Sequence, residues 1–430
     1  MFQDSIIVIG AGLAGSEAAY QIAKRGHKVT LYEMRPTTTE VVAHHTNKYG
    51  ELVCSNSLKN KGLDNAAGLL KEEMRHLDSL IIKSADKNEV PAGNALAVDR
   101  EAFSQFITDE INDNPLIEVI HEEIKEIPLD KIVIIATGPL TSSSLGNNIA
   151  SLLGEKSYYF YDAAAPIIDI EKIDFTKAYR KSRYDKGGAD YINCAFTKDE
   201  FFAFYQELIN AEAVTLKEFE KEVFFEGCMP VEAMAKRGFK TLTFGPLKPV
   251  GLERPDGTRP FAVVQLRQDN VAGNLYNLVG FQTNLTFKEQ KRVFSMIPGL
   301  ENVDFVKYGV MHRNTYICAP KYLANTLALK SHPNIFFAGQ ISGVEGYIES
   351  AATGILAAIN AIKYKENKDL VTMPIETMLG SLVNYITSAS IKNFQPMNSN
   401  YGILFNAQKD RLENARISLE ALDLWKEKIN

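Results

Sequence analysis

The chain has 430 residues, of which 45% are hydrophobic and 23% charged, and its formal net charge is −6. This composition supports a buried core, in two or three ordinary domains or in one large domain with an insertion, and excludes a disordered or fibrous chain. The acidic balance offers no global attraction to nucleic acid or to an anionic membrane, so an RNA partner would have to be met by local basic patches.

The chain runs directly into a predicted strand, without the basic segment, apolar stretch and cleavage site of a secretory signal. No run approaches the ~18 apolar residues of a membrane span. Its four cysteines (Cys54, Cys194, Cys228, Cys318) are widely spaced and form no CxxC pair. That spacing argues against a zinc site and a disulfide framework and points to free thiols in a reducing cytoplasm.

In chain order, Ser5–Ile9 is a β-branched apolar run, as expected of a central parallel strand. The turn Gly10-Ala11-Gly12-Leu13-Ala14-Gly15 follows, then a helical pattern over Ser16–Lys24, a second strand over Lys28–Tyr32, and Glu33. Strand, glycine turn, helix, strand and an acid about 20 residues on form the dinucleotide-binding fingerprint in its required context. Gly10 makes the tight turn, Gly12 admits a pyrophosphate, and Gly15 allows close packing of helix on strand. Glu33 is expected to accept hydrogen bonds from an adenosine ribose.

Two later segments favour FAD over NAD. Lys131–Ile135 is another buried strand, closing on Ala136-Thr137-Gly138, an arrangement that recurs in two-dinucleotide flavoproteins. Asn334–Phe337 leads through Gly339 into Gly343-Val344-Glu345-Gly346-Tyr347-Ile348-Glu349-Ser350 and a small-residue helix over Ala351–Ile362. The N-terminus of that helix would face the flavin pyrimidine, where its dipole favours the anionic reduced form. Between these stretches the βαβ rhythm is lost. The expected architecture is therefore α/β, a Rossmann-like FAD-binding domain of the glutathione-reductase type (1–179 and 313–430, ending in helices) with an inserted α+β substrate domain at 180–312.

Two cysteines sit in unusual settings. Hydroxyls and amides crowd Cys54 in the block His44–Leu58, while Gly227 and Pro230 flank Cys228. A lone cysteine is more often a small buried hydrophobe, and Cys194 and Cys318 are read that way. His44 and His45 lack further donors at ligand spacing, so no metal is expected. Two stretches are locally basic. Lys177–Lys186 interleaves cations, among them Arg180, Lys181 and Arg183, with two tyrosines. Residues 230–270 carry seven cations, including Lys236, Arg237, Arg254 and Arg267, against four acids. Cations track phosphates and rings offer stacking faces, although such runs often mean only a solvated surface.

These blocks, GAGLAGSEAA (10–19), ELVCSNSL around Cys54, NALAVDRE (94–101), EGCMPVEAMAKRG (226–238), FGPLKPVGL (244–252) and GVEGYIESAATG (343–354), resemble the folate- and FAD-dependent tRNA uracil-5-methyltransferases over essentially the whole chain. The N-terminal fold and GVEGYIES are also similar to longer flavoproteins that modify the tRNA wobble uridine. The resemblance implies transfer of a methylene from 5,10-methylenetetrahydrofolate by way of flavin N5 to uracil C5, with NAD(P)H as reductant. It implies cofactor contacts from Gly10, Gly12, Leu13, Ala14, Gly15, Glu33, Gly138, Gly339, Gly346, Tyr347, Ile348 and Glu349. Uracil C5 becomes nucleophilic only after a thiolate adds at C6. Cys228 matches the family's nucleophile position and Cys54 its second, flavin-proximal cysteine; which thiol attacks is left open. Lys236 or Arg237 would keep a thiolate available. Asn47, Cys318-Ala319-Pro320 and Phe405 depart from the family pattern, so the same chemistry on a large-subunit ribosomal RNA is an alternative to the tRNA T-loop. A flavin oxidoreductase acting on a small molecule is a third reading.

Overall fold

The run Ile6–Ile9 is buried along its whole length and forms β1, at the centre of a six-stranded sheet. The computed structural model describes residues 4–37, 44–154, 158–163, 165–185, 188–214, 229–270, 272–309, 311–391 and 394–429. β1 is followed by helix α1 (Leu13–Lys24) and strand β2 (Val29–Tyr32). The sheet runs Ala328–Leu329, His332–Phe337, Val133–Ile135, β1, β2, Ile117–Ile120, all parallel except the first pair. β1 pairs with β2 on one side and with Val133–Ile135 on the other. The connections diverge there, and a crevice opens beyond the carboxyl ends of the strands.

Helix Tyr347–Lys365 covers the same face as α1. Small residues let the two backbones meet: a Cβ added to Gly354 would lie 2.4 Å from the Ala14 carbonyl oxygen. The helix begins at Tyr347, four residues before the small-residue run expected from sequence, because Gly346 (φ +119°) turns the chain into it. Helices Met378–Ser388 and Arg411–Ile429 pack back on Ala66–His76.

A second six-stranded sheet, antiparallel throughout, has the order Ala178–Arg180, Tyr191–Phe196, Ala262–Gln268, Leu275–Leu278, Ile167–Asp169, Phe305–Lys307. Its core is aromatic, with Phe196, Phe201, Phe204, Phe281 and Phe294 buried. Strands Ile167–Asp169 and Ala178–Arg180 belong to this sheet, so the insert opens before residue 180, where the sequence reading placed it. These two strands are three residues long, too short to show an alternation. The paired strands Tyr158–Ala163 and Met311–Tyr316 connect the two regions. A small antiparallel sheet of Ser57–Asn60, Ala95–Val98 and Glu89–Val90 flanks the Cys54 loop. Among the described residues no helix is long and apolar enough to cross a membrane.

Candidate active site

A cleft of about 430 Å³ opens at the carboxyl ends of β1 and its neighbours. Its floor is the glycine turn. A Cβ on Gly15 would lie 1.7 Å from the Gly10 carbonyl oxygen, and one on Gly10 would lie 2.8 Å from that of Ala136. These two glycines are required by the protein's own packing. A Cβ on Gly12 would meet nothing within 4 Å, and Gly12 faces the cleft as the N-cap of α1 with no side-chain cap. An uncapped helix N-terminus behind a glycine with open space is the cradle a pyrophosphate needs.

Glu33 stands at the end of β2. Its carboxylate accepts the N–H of Ala11 (2.9 Å), the N–H of Arg35 (3.0 Å) and Arg35 Nε (2.9 Å). Burial alone would raise its pKa, but the Arg35 contacts prevail and hold it below the ordinary carboxylate range. An ionised carboxylate has acceptor sites beyond these three, and Glu33 lines the cleft, as a ribose-binding acid must.

At the far wall, Gly346 is the uncapped N-cap of helix Tyr347–Lys365. Glu349 lies behind this wall, wholly buried. Its Oε1 takes Lys59 Nζ (2.6 Å) and Ser399 Oγ (2.6 Å), and Lys59 in turn lines the cleft. Burial opposes its ionisation, yet Lys59 keeps its pKa below the usual range. Glu349 Oε2 has no hydrogen-bond partner among the described residues and lies where a Cβ on Gly346 would clash, 2.2 Å away.

Cys54 borders the same cleft. The Tyr347 hydroxyl oxygen accepts the N–H of Cys54 (2.8 Å) and of Ser55 (3.1 Å) and lies 2.8 Å from Cys54 Sγ. With its lone pairs committed to two N–H groups, that hydroxyl has its proton left for sulfur. Burial, and then the neighbouring Cys54 charge, push the Tyr347 pKa well above its ordinary value, so it stays a donor. The loop is also clamped from the second sheet. Arg267 donates to Ser55 Oγ (2.6 Å) and Asn56 Oδ1 (3.0 Å), and Arg100 bridges Leu52 O (2.8 Å) to Asp269 (3.0 Å).

Of the residues singled out from sequence, Gly10, Gly12, Leu13, Ala14, Glu33, Cys54, Gly138, Gly339, Gly346, Tyr347 and Ile348 line the cleft. Gly15 and Glu349 support it from behind. Cys228 lies outside the described residues. The basic candidates divide. Lys236 and Arg237 are exposed. Arg183 is committed to the carbonyls of Lys248 and Val250, Arg254 to that of Ala195, and Lys181 to Asp185 and Glu253. Arg180 packs over the rings of Phe175 and Tyr276. Arg267, only 8% exposed, holds the Cys54 loop and presents no cation to a polyanion. Tyr179 is buried with its hydroxyl donating to Leu252 O, which leaves Tyr184 as the exposed ring of the first basic run. Sequence reasoning missed Arg35, Lys59 and Gln282; the left-handed backbone at Lys59 (φ +64°) has no compositional signal.

The sheet order, the uncapped glycine cradle and the acid at the end of β2 define a Rossmann-like FAD-binding protein of the glutathione-reductase type. The family model described as glucose inhibited division protein A matches residues 5–369. The methylenetetrahydrofolate–tRNA-(uracil-5-)-methyltransferase TrmFO of Listeria monocytogenes serotype 4b is 62% identical over 402 residues, 93% of this chain and 92% of its own length. Its counterpart in Brevibacillus brevis is 58% identical over 428 residues, 98% of each chain. The solved structure of Aquifex aeolicus GidA superimposes with a TM-score of 0.70 at 17% identity, covering 99% of this chain and 77% of that one, and shares the fold. The chain belongs to the TrmFO branch of the glucose inhibited division protein A family.

Proposed function

We propose that this chain is a folate- and FAD-dependent methyltransferase that makes 5-methyluridine in tRNA. In the overall reaction 5,10-methylenetetrahydrofolate gives up its bridging carbon to uracil C5. NAD(P)H supplies a hydride and solvent a proton, and tetrahydrofolate, NAD(P)+ and the C5-methyl base leave. The near-full-length identity to relatives named for this activity supports the reading. The observation in the molecule that carries it is Cys54, held at the cleft by Tyr347 and by the Arg267 clamp.

Gly12 and the N-terminus of α1 would hold the pyrophosphate, Glu33 the ribose, and Gly346 with the following helix the pyrimidine edge of the isoalloxazine. When bound, FAD supplies one-carbon relay and hydride transfer. The chain's own residues supply the rest. A thiolate adds to uracil C6 and leaves C5 nucleophilic; once C5 has taken up the methylene, a base removes the C5 proton, and the thiolate departs as hydride completes the methyl group. Cys54 and Cys228 are our candidates for these two duties. Lys236 and Arg237, exposed just after Cys228, are our candidates for phosphate contacts. A cytoplasmic location accords with a tRNA substrate. Purified protein should be yellow and should form 5-methyluridine in a tRNA transcript only with methylenetetrahydrofolate and NAD(P)H. Methylation supported by S-adenosylmethionine alone would refute the proposal.

A further inference from the structure

The motif FGPLKPVGL lies on the segment that follows Cys228 and contributes none of the residues that line the cleft. The segment opens with helix Val231–Lys236 and continues into the short helix Thr241–Phe244. Its inner face is sealed into the second core by Val231, Ala235, Leu242 and Leu247. Glu232 also turns inward, its carboxylate accepting Thr283 Oγ1 (2.8 Å) and the N–H of Asn284 (2.7 Å). With that acid withdrawn, the outer face carries Lys236, Arg237, Lys240 and Lys248, all exposed. Among them stands Phe244, 77% exposed, the most exposed large hydrophobic side chain among the described residues.

This ring stands in water at the cost of its burial, although Leu242 and Leu247 beside it are fully sealed. The support is rigid. Pro246 packs so closely on Gly280 that a Cβ there would lie 2.3 Å from the proline Cβ, and Arg183 pins the carbonyls of Lys248 and Val250. It is also continuous with the cleft, since Gln282 lines the cleft and its carbonyl accepts the N–H of Val231 (2.7 Å).

We propose that Phe244 is a stacking platform for an unpaired base of the RNA substrate, with Lys240 and Lys248 on the adjoining phosphates. The proposal rests on the RNA reading above and adds the residue that grips the strand. One exposed ring on the segment, among four cations and with no exposed acid there, matches nucleic acid better than protein, Phe239 being half-buried against Phe202. Protein interfaces cluster apolar area and are depleted in lysine. Single-stranded RNA is bound by aromatic faces beside cationic tracks, since every base offers a π-face.

The test uses the full-length, flavin-loaded enzyme with a tRNA transcript, measuring Kd and steady-state methylation for Phe244→Ala, Phe244→Trp and the double variant Lys240→Gln/Lys248→Gln. Flavin absorbance and melting temperature report the fold. Phe244→Ala should weaken RNA binding by roughly tenfold, raising KM for RNA more than it lowers kcat, and Phe244→Trp should restore binding. The lysine pair should flatten the slope of log Kd against log salt by about 1.5. Native affinity in a folded Phe244→Ala protein, or failure of Trp to rescue it, would overturn the proposal. Absence of RNA binding by the unaltered protein would instead overturn the RNA reading itself.

Discussion

At the scale of single residues, the three glycines of the first turn have separable duties. Gly15→Ala places a methyl against a backbone oxygen and should abolish soluble protein. Gly12→Ala meets no protein atom, so the ligand-free melting temperature should move by only a few degrees. Flavin affinity should nevertheless fall at least about tenfold, or ~1.4 kcal/mol, read by titrating FAD into the apoprotein. A Gly12→Ala variant that retains flavin normally would show that the cradle holds something else. Arg267 illustrates a limit of sequence reading. In the chain it is one cation of a basic stretch; folded, it spans 211 residues to reach Asn56. Arg267→Met leaves the buried Asn56 Oδ1 unpaired at ~1–3 kcal/mol, while Ser55 Oγ keeps only the N–H of Ser57, and Arg267→Lys cannot span both side chains. Both variants should lose about tenfold or more in methylation while still binding flavin, measured by 5-methyluridine formation at saturating RNA. Undiminished turnover would remove the clamp from the account. The Cys54–Tyr347 contact was equally illegible, because it joins residues 293 apart.

At the scale of elements, the βαβ unit and the Val133–Ile135 strand were readable because buried parallel strands are continuous β-branched runs. The second sheet was not, since three of its strands are only three residues long and its pairing joins distant segments. The C-terminal helices depend on a buried cap that no pattern announces. Glu73 accepts the N–H groups of Met378 (2.6 Å) and Leu379 (2.9 Å) and the hydroxyl of Ser418 (2.6 Å). Burial outweighs these bonds and pushes its pKa up to about 7. The folded state therefore binds a proton that the unfolded chain, titrating near ~4.3, has released. The linked stability is fully present below that value and is lost as pH rises through about 7. Thermal melts from pH 5 to pH 8 should show a decline that Glu73→Gln removes, even though the variant is less stable overall. Parallel profiles for the two proteins would contradict the assignment.

At the scale of the whole molecule, an acidic chain of net charge −6 must bind a polyanion through a local surface. The structure brings an exposed cationic face beside the wall of a dinucleotide cleft, and the cleft carries a positioned thiol. The fold class, the cofactor and the family could be read before any coordinate, because each rests on contiguous motifs. The division of labour among the cations could not, because it depends on which side chains the fold consumes. The proposed activity is that this cleft builds a methyl group on uracil C5 with folate as the carbon source. Purified protein, given a tRNA transcript, NAD(P)H and methylenetetrahydrofolate labelled at the bridging carbon, should place the label in 5-methyluridine of the T-loop, and Cys54→Ser should abolish incorporation. Unlabelled 5-methyluridine, or label incorporated equally well by Cys54→Ser, would contradict it.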